Sequence, residues 1–272
     1  MSAPLARRLS LGLLATLLIA SASAPAHATP RPLPFTYIYE TLPAGSAEVE
    51  LYTDLVPLRV SDLTGAPTWT LGMQFQTEIE YGITDRLELG LYLDFAPSNP
   101  AFTNLPTMPE GTGVKQRLRY RFADAGQWPV DLAVYGELVE LTNLFEIEAK
   151  VILQRRVGPL RFAANLWFER EYAYSGGENE WEFNPAAGVV LEKWITVQPG
   201  IEYWMRSEFD DERFDSDHFL GPTCLLQFGK IWWSTGAYVH LNKIHVPAPV
   251  PGVAGEPFDG PVWFRTIVGI SY

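Results

Sequence analysis

The stretch from Trp69 to Phe95 constrains the fold most, because its side chains alternate between apolar and polar around one tight turn at residues 82–85. Its apolar positions are Leu71, Met73, Phe75, Thr77, Ile79 and Tyr81 before the turn, and Leu87, Leu89, Leu91, Leu93 and Phe95 after it. A period of two places successive side chains on opposite faces of a sheet, so the pattern predicts an antiparallel hairpin. Each arm has about a dozen residues, which exceeds the usual strand of a soluble protein. Tilted strands of roughly ten residues span a bilayer, and the hairpin therefore predicts part of a transmembrane barrel.

The N-terminus has the three parts of a secretory signal. Arg7 and Arg8 precede the apolar run 9–20, and small residues at Ala26 and Ala28 mark a cleavage site. We therefore predict a signal peptide at 1–28, a Pro-rich periplasmic lead-in at 29–45, and a barrel at 46–272. No later stretch approaches the roughly 18 continuous apolar residues of a transmembrane helix.

The charge balance excludes one class of partner. Cleavage of the signal removes two of the 20 basic residues and none of the 32 acidic ones, so the net charge falls from −12 to about −14. A nucleic-acid partner is not expected, since it requires basic patches. Cys224 is the only cysteine, which excludes an internal disulfide; it is predicted to face lipid.

Similar alternation recurs along the chain and predicts about twelve strands. The predicted strands are 46–53, 69–81, 87–95, 113–122, 130–139, 145–154, 160–171, 181–191, 195–206, 218–228, 231–241 and 262–272. Long loops, including 54–68 and the acidic 207–217, alternate with tight turns, as in outer-membrane barrels. The one exception is the connection after the fifth strand, which is short where a long one is expected. The predicted fold is therefore all-β, a single antiparallel transmembrane β-barrel with both termini in the periplasm. Pro185, Pro199 and Pro222 fall inside strands and predict local bulges.

Aromatic residues at the strand ends agree with this architecture. Two belts of indoles are expected at the two lipid interfaces, Trp128, Trp194, Trp232 and Trp233 at one and Trp69, Trp181, Trp204 and Trp263 at the other. The last strand alternates and ends in Tyr272, an ending that resembles the signal read by the barrel-assembly machinery. Outer-membrane lipid and that machinery are thus the expected macromolecular partners.

The polar faces carry many charges, which would cost about 2–4 kcal/mol each for Lys or Arg near the lipid midplane. They must therefore face the lumen. The predicted lumen-lining residues are Glu78, Glu80, Glu88, Lys115, Arg117, Arg119, Arg121, Glu137, Glu146, Glu148, Glu202, Arg206 and Arg265. Two interpretations remain open: a charged, water-filled path, or a lumen packed shut by ion pairs.

Enzymatic and metal chemistry find little support in the pattern. Ser234 and His240 share a strand face but lie about 20 Å apart along it, which excludes a catalytic pair. The spacing of the acids in 207–217 matches no calcium-loop motif, so a solvated loop is the simpler interpretation. We predict no enzyme activity, no cofactor and no metal site.

Three motifs carry a resemblance to known proteins: Glu40-Thr41-Leu42-Pro43, Glu80-Tyr81-Gly82-Ile83-Thr84-Asp85-Arg86, and His218-Phe219-Leu220-Gly221-Pro222. They resemble a poorly characterised family of bacterial outer-membrane β-barrels. The chain is more loosely similar to the outer-membrane proteins linked to phenol-degradation (MetA) pathways. The resemblance implies the fold, a Gram-negative outer-membrane location and at most a channel role.

The function expected from the sequence is a narrow channel for small polar or charged solutes. The alternative is a closed, ion-paired barrel with a structural or interaction role through its acidic external loops. A soluble β-sandwich is the third and weakest interpretation.

Overall fold

A computed structural model describes residues 29–61, 67–95, 113–142, 144–174, 179–209, 214–242 and 260–272. The predicted signal peptide lies outside these residues. The strands are β1 (Ala47–Ser61), β2 (Pro67–Thr84), β3 (Leu87–Phe95), β4 (Gly113–Arg121), β5 (Asp131–Leu141), β6 (Leu144–Val157), β7 (Leu160–Ala173), β8 (Trp181–Phe183), β9 (Ala186–Leu191), β10 (Val197–Phe209), β11 (Phe214–Phe228), β12 (Ile231–His240) and β13 (Val262–Ser271).

The strands form one closed antiparallel ring. Each strand pairs with its neighbours in sequence, and β1 pairs with β13 to complete the circle. The segments β8 and β9 share one position between β7 and β10. The predicted twelve-stranded antiparallel barrel is therefore confirmed.

One wall is interrupted at Asn184-Pro185, where a bulge was predicted. Proline removes a ladder donor, and side chains take over the missing bonds. Asn184 Oδ1 accepts from the Ser207 amide at 2.8 Å, and Ser207 Oγ in turn contacts the Phe183 backbone. Pro199 and Pro222, by contrast, remain inside β10 and β11.

The barrel is apolar outside and polar inside. In β5, Glu137 is 4% exposed while its neighbour Leu138 is 49% exposed. This inverts a soluble protein and matches a barrel whose outer face contacts lipid. No helix among the described residues is long and apolar enough to cross a membrane.

Two predicted loops are partly strand. β1 runs to Ser61 instead of ending at Thr53, and β10 and β11 extend to Phe209 and from Phe214. Pro57 misled the first prediction, because it signals a loop yet pairs opposite Leu71 within the sheet. The prediction that 54–68 and 207–217 are loops is therefore wrong for most of each segment.

Three of the tryptophans assigned to lipid belts instead point inward. Trp204, Trp232 and Trp263 are buried, and Trp232 Nε1 donates to Glu48 at 3.0 Å. A strand end carries both an inward and an outward position, so proximity to an end does not determine the face. The exposed indoles at strand ends are those of Trp69, Trp128, Trp181, Trp194 and Trp233.

The largest departure from expectation is the segment 29–45, which we call the plug. It was predicted to lie outside the barrel as a lead-in, but Leu33, Ile38, Tyr39 and Leu42 are all almost fully buried. Its side chains and amides contact inward residues on opposite walls, including Glu202 and Glu88. The plug therefore lies within the lumen.

Candidate functional site: the barrel lumen

The structure places the charges that were predicted to line the lumen on the inner face. Lys115, Arg121, Glu146, Arg206 and Arg265 keep part of their surface exposed, whereas the rest of the predicted set is buried. They do not form one continuous strip. Those on β2–β4 belong to a compensated network, those on β5 and β6 belong to a more acidic surface on β5–β8, and Glu202, Arg206 and Arg265 lie on β10 and β13.

The network on β2–β4 is centred on Arg117. Its Nε donates to Glu78 Oε1 at 2.6 Å and to the Tyr92 hydroxyl at 2.9 Å, and Nη1 donates to Glu88 Oε1 at 2.7 Å. A further pair joins it to Glu80. A planar guanidinium has five N–H donors, which suits it to several carboxylates at once.

Gly90 makes room for this network. A Cβ at Gly90 would lie 2.5 Å from Arg117 Nε and 2.7 Å from Glu78 Oε1. Gly90 stands directly opposite both Glu80 and Arg117 in the sheet. A side chain at this position would occupy the space that the guanidinium needs.

Glu88 connects the network to the plug. Its two oxygens accept from Arg119 Nη2 at 2.7 and 3.0 Å, and Oε2 also accepts from the Leu42 amide at 2.7 Å. Next to this contact, a Cβ at Gly82 would lie 2.1 Å from the Pro43 carbonyl oxygen. The plug backbone therefore passes in close contact with β2 where it leaves the lumen.

The plug enters the lumen and turns back, so that it forms a loop inserted from one end of the barrel. That end carries the tight turns 85–86, 158–159 and 229–230, and we call it the tight-turn end. Arg31 donates to the hydroxyl of Tyr52 on β1, and Phe35 lies near the top of the excursion. The returning arm brings Tyr39 to Gln154 and Ala44 to Asp85 at the turn between β2 and β3. Both ends of the plug thus lie at the tight-turn end.

Inward side chains satisfy the plug amides in place of strand pairing. Glu202 Oε1 accepts from the Phe35 amide at 3.0 Å and also from Thr36, and Asn165 exchanges two bonds with Tyr37, at 2.6 and 2.9 Å. Buried amides require such partners. The plug is therefore held by a series of separate side-chain contacts instead of a continuous ladder.

An aromatic cluster surrounds the top of the plug. Phe35 stacks on Trp204 with centroids 4.0 Å apart and meets Tyr238 and Trp263 edge-on. The Arg265 guanidinium lies 3.9 Å from the Phe35 ring centroid. Arg265 is fixed by two bonds to Asp54, at 2.7 and 2.6 Å.

A second set of charges holds the plug at the tight-turn end. Arg156 bonds both Glu40 and, at 2.8 Å, Glu192, and Arg161 pairs with the same two carboxylates. Burial raises the pKa of Glu40, but the two arginines outweigh it and hold that pKa below its ordinary value. The group is ionised at neutral pH.

A cavity of about 360 Å³ lies between the plug and the opposite, long-loop end of the barrel. Its wall includes Phe35 and Tyr37 of the plug, Lys115 of β4, and the acidic side chains Glu137, Glu146, Glu148, Glu169, Glu171 and Glu182. Its volume is within the range of small-molecule sites. The cavity therefore has room for a small solute beside a strongly acidic wall.

Sequence analysis missed several residues of this site. Asp54 was assigned to a loop although it is the partner of Arg265, and Trp204 and Trp263 were assigned to lipid. The alternation Glu48, Glu50, Tyr52, Asp54 continues without a break and is the signal that could have identified Asp54 as inward. No sequence signal placed the plug inside the barrel.

Comparison with known proteins supports the fold. No protein-family model matches the chain, and no curated protein matches it by sequence. Its structure is similar to an outer membrane channel from Pseudomonas putida F1, with a TM-score of 0.57, 13% identity, and coverage of 86% of this chain and 98% of that one. It is also similar to the NanC porin, with a TM-score of 0.54, 10% identity, and coverage of 82% and 98%. At these identities the likeness shows the fold, and the chain has the fold of an outer-membrane β-barrel.

Proposed function

We propose that this protein is an outer-membrane channel for small polar or charged solutes, in which the plug determines whether the lumen conducts. The observation that carries the proposal is the charged cavity above a plug held by separate side-chain contacts. Channels and porins of the same fold support it. A solute entering from the long-loop end would reach the cavity, and displacement of the plug would open the remainder of the path.

The proposed location is the outer membrane of a Gram-negative bacterium, reached after removal of residues 1–28. The apolar outer face supports contact with lipid, and the exposed aromatic end at Tyr272 supports recognition by the barrel-assembly machinery. The link to phenol-degradation pathways remains a prediction from the sequence.

A second candidate is the closed, ion-paired barrel with a structural or interaction role. The Arg117 network favours it, because buried side chains and the plug fill the lumen on the tight-turn side. The two candidates differ in whether removing the plug creates a path for ions.

Planar-bilayer conductance of a variant lacking residues 31–42 tests the choice. We expect the wild type to conduct little and the deletion variant to show a large, steady conductance, because the plug no longer occupies the lumen. Heat-modifiability on gels provides the folding control. A folded deletion variant that does not conduct would establish the closed barrel.

A reversible variant covers the case in which the deletion variant fails to fold. A Cβ at Gly188 would lie 2.7 Å from the Leu33 side chain, so L33C/G188C in a C224S background is suited to tether the plug. We expect oxidation to abolish the residual conductance and reduction to restore it. Equal conductance in both states would contradict a plug-controlled path.

A further inference from the structure

The wall formed by β5, β6 and β7 carries two inward cross-strand rows, one directly above the other. The aromatic row consists of Tyr135, Lys150 and Trp167, which are paired across the three strands. The acidic row consists of Glu137, Glu148 and Glu169, in the same register and two residues nearer the long-loop end. All six side chains line the cavity.

Lys150 places its ammonium group among aromatic rings. Nζ lies 3.7 Å from the Trp167 ring centroid, 4.3 Å from that of Tyr135 and 4.6 Å from that of Tyr37 in the plug. The Glu148 carboxylate contacts the same nitrogen. Aromatic faces with a nearby carboxylate are the environment in which proteins bind organic ammonium groups. The chain thus fills such a site with its own side chain.

The acidic row holds more negative charge than its neighbours compensate. Its three carboxylates are 4–7% exposed and stand directly opposite one another, and Glu182 continues the row on β8. Lys150 pairs with Glu148, and Arg206 pairs with Glu182. Lys115 of β4, which pairs with Asp94, also attracts Glu137. Like charges at directly opposite positions repel, so a bound cation would relieve a cost already present in the fold.

An unsatisfied donor belongs to a residue in another wall of the same cavity. Trp204 is 6% exposed and lines the cavity, yet its indole Nε1 has no hydrogen-bond partner among the described residues. A buried N–H without a partner is uncommon and costs free energy. An oxygen acceptor on a bound molecule would satisfy it.

We propose that the cavity binds small organic ammonium compounds, with the cationic nitrogen against the acidic row, beside the rings of Trp167 and Tyr135 that Lys150 already contacts. A hydroxyl or carbonyl oxygen on the same molecule would accept from Trp204. The inference rests on the proposed channel function and names the solute class. A bare metal ion would use the carboxylates but gain less from the rings and nothing from the indole N–H.

Choline and its neutral isostere 3,3-dimethylbutan-1-ol provide the direct test, because they match in shape and differ in charge. Isothermal titration of the detergent-solubilised full protein should show choline binding at least tenfold more tightly than the alcohol. E169Q should reduce the choline preference severalfold. E140Q is the matched control: Glu140 lies on β5 too but faces outward and is exposed, so the preference should be unchanged.

The variant K150M tests the part of the cavity that the Lys150 ammonium group fills. Methionine keeps the length of the side chain and removes the ammonium, so choline should bind several times more tightly than to the wild type. Binding of the alcohol should change little. If K150M does not fold, the wild type and E169Q still decide the proposal.

Three results would overturn the inference: equal binding of choline and the alcohol, no binding of either, or an E169Q variant with undiminished preference. Oxygens of Glu146, Glu148 and Glu169 lie within 4.8 Å of one another, so Ca²⁺ is titrated too. Tight Ca²⁺ binding that excludes choline would replace the proposal with a metal site. Binding without conductance would refute the channel alone, and conductance without choline preference would refute the ammonium site alone.

Discussion

The wall formed by β2–β4 and the wall formed by β5–β8 share strand geometry and differ in how inward charge is compensated. On β2–β4, Arg117 and Arg119 stand among Glu78, Glu80 and Glu88 with almost no exposure. On β5–β8, the acidic row and Glu182 stand side by side, and Lys150 and Arg206 pair with two of these four carboxylates. The same alternating pattern therefore produces a wall that closes the lumen and a wall that leaves a charged cavity.

The difference between the two walls shows what determines how much of the lumen of a small barrel stays open. Long side chains fill a lumen of about this strand number unless something keeps them apart. Opposite charges draw the β2–β4 side chains together, whereas like charges on β5–β8 have no such attraction. Compensation thus holds one wall together, and in our proposal its shortage on the other wall provides the binding site.

The largest expected effect is at Arg117. R117M should destabilise the barrel by about 3–5 kcal/mol, because it leaves several buried carboxylates without their cation. Urea unfolding in lipid vesicles measures the change. R86M is the control: the Arg86–Asp124 pair is 40% and 53% exposed, so its loss should cost less than about 1 kcal/mol. A similar small effect in both variants would show that the Arg117 network does not hold the wall.

On the acidic wall, removing a charge should stabilise the barrel instead of destabilising it. E169Q removes one charge that lies between Glu148 and Glu182, while its amide oxygen can still accept from Asn184. The free energy of unfolding should rise by about 0.2–1 kcal/mol. Together with weaker choline binding, this would be a trade of stability for function. A destabilised E169Q variant would mean that the row is compensated after all.

The sequence predicted the barrel because side-chain alternation follows directly from strand geometry. The identity of inward residues followed as well, since Arg117 or Glu148 would be costly on the lipid side. Cross-strand ion pairing was one of the two open interpretations, but the degree of compensation on each wall was not predictable, because it depends on which strands are neighbours at which level. Glu78, Glu88 and Arg117 are distant in sequence and meet only after the register of β2, β3 and β4 is fixed.

The plug was unpredictable for a related reason. Its prolines indicate an irregular segment, and the alternation of Leu33, Phe35, Tyr37 and Tyr39 is too short to predict a strand that spans a membrane. In the structure these four side chains are buried, and Glu202 and Asn165 accept from the plug amides. Only the closed barrel shows that the apolar side chains of the plug and the inward side chains of Glu202 and Asn165 lie in the same place.

The smallest expected effect concerns Glu40, whose pairing with Arg156 and Arg161 resembles that of the Arg117 network but lies nearer solvent. The Glu40 side chain is 25% exposed and that of Arg156 is 36% exposed. Water screens such pairs, so E40Q should cost less than about 1 kcal/mol at neutral pH. The contrast with R117M separates the effect of burial from that of pairing.

The pH dependence of the stability difference between wild type and E40Q follows from the direction in which the pKa of Glu40 is shifted. The folded pKa of Glu40 lies below its ordinary value, so the stabilisation is fully present above the unfolded pKa and is lost as pH falls through the folded one. The stability difference between wild type and E40Q should thus be constant near neutrality, begin to fall near the ordinary Glu pKa of about 4.3, and vanish only below the lower folded pKa. Vesicle unfolding curves for both proteins at several pH values measure it. Both side chains can accept from Gln154, so a difference that persists in acid would show that the effect arises from packing around residue 40 and not from charge.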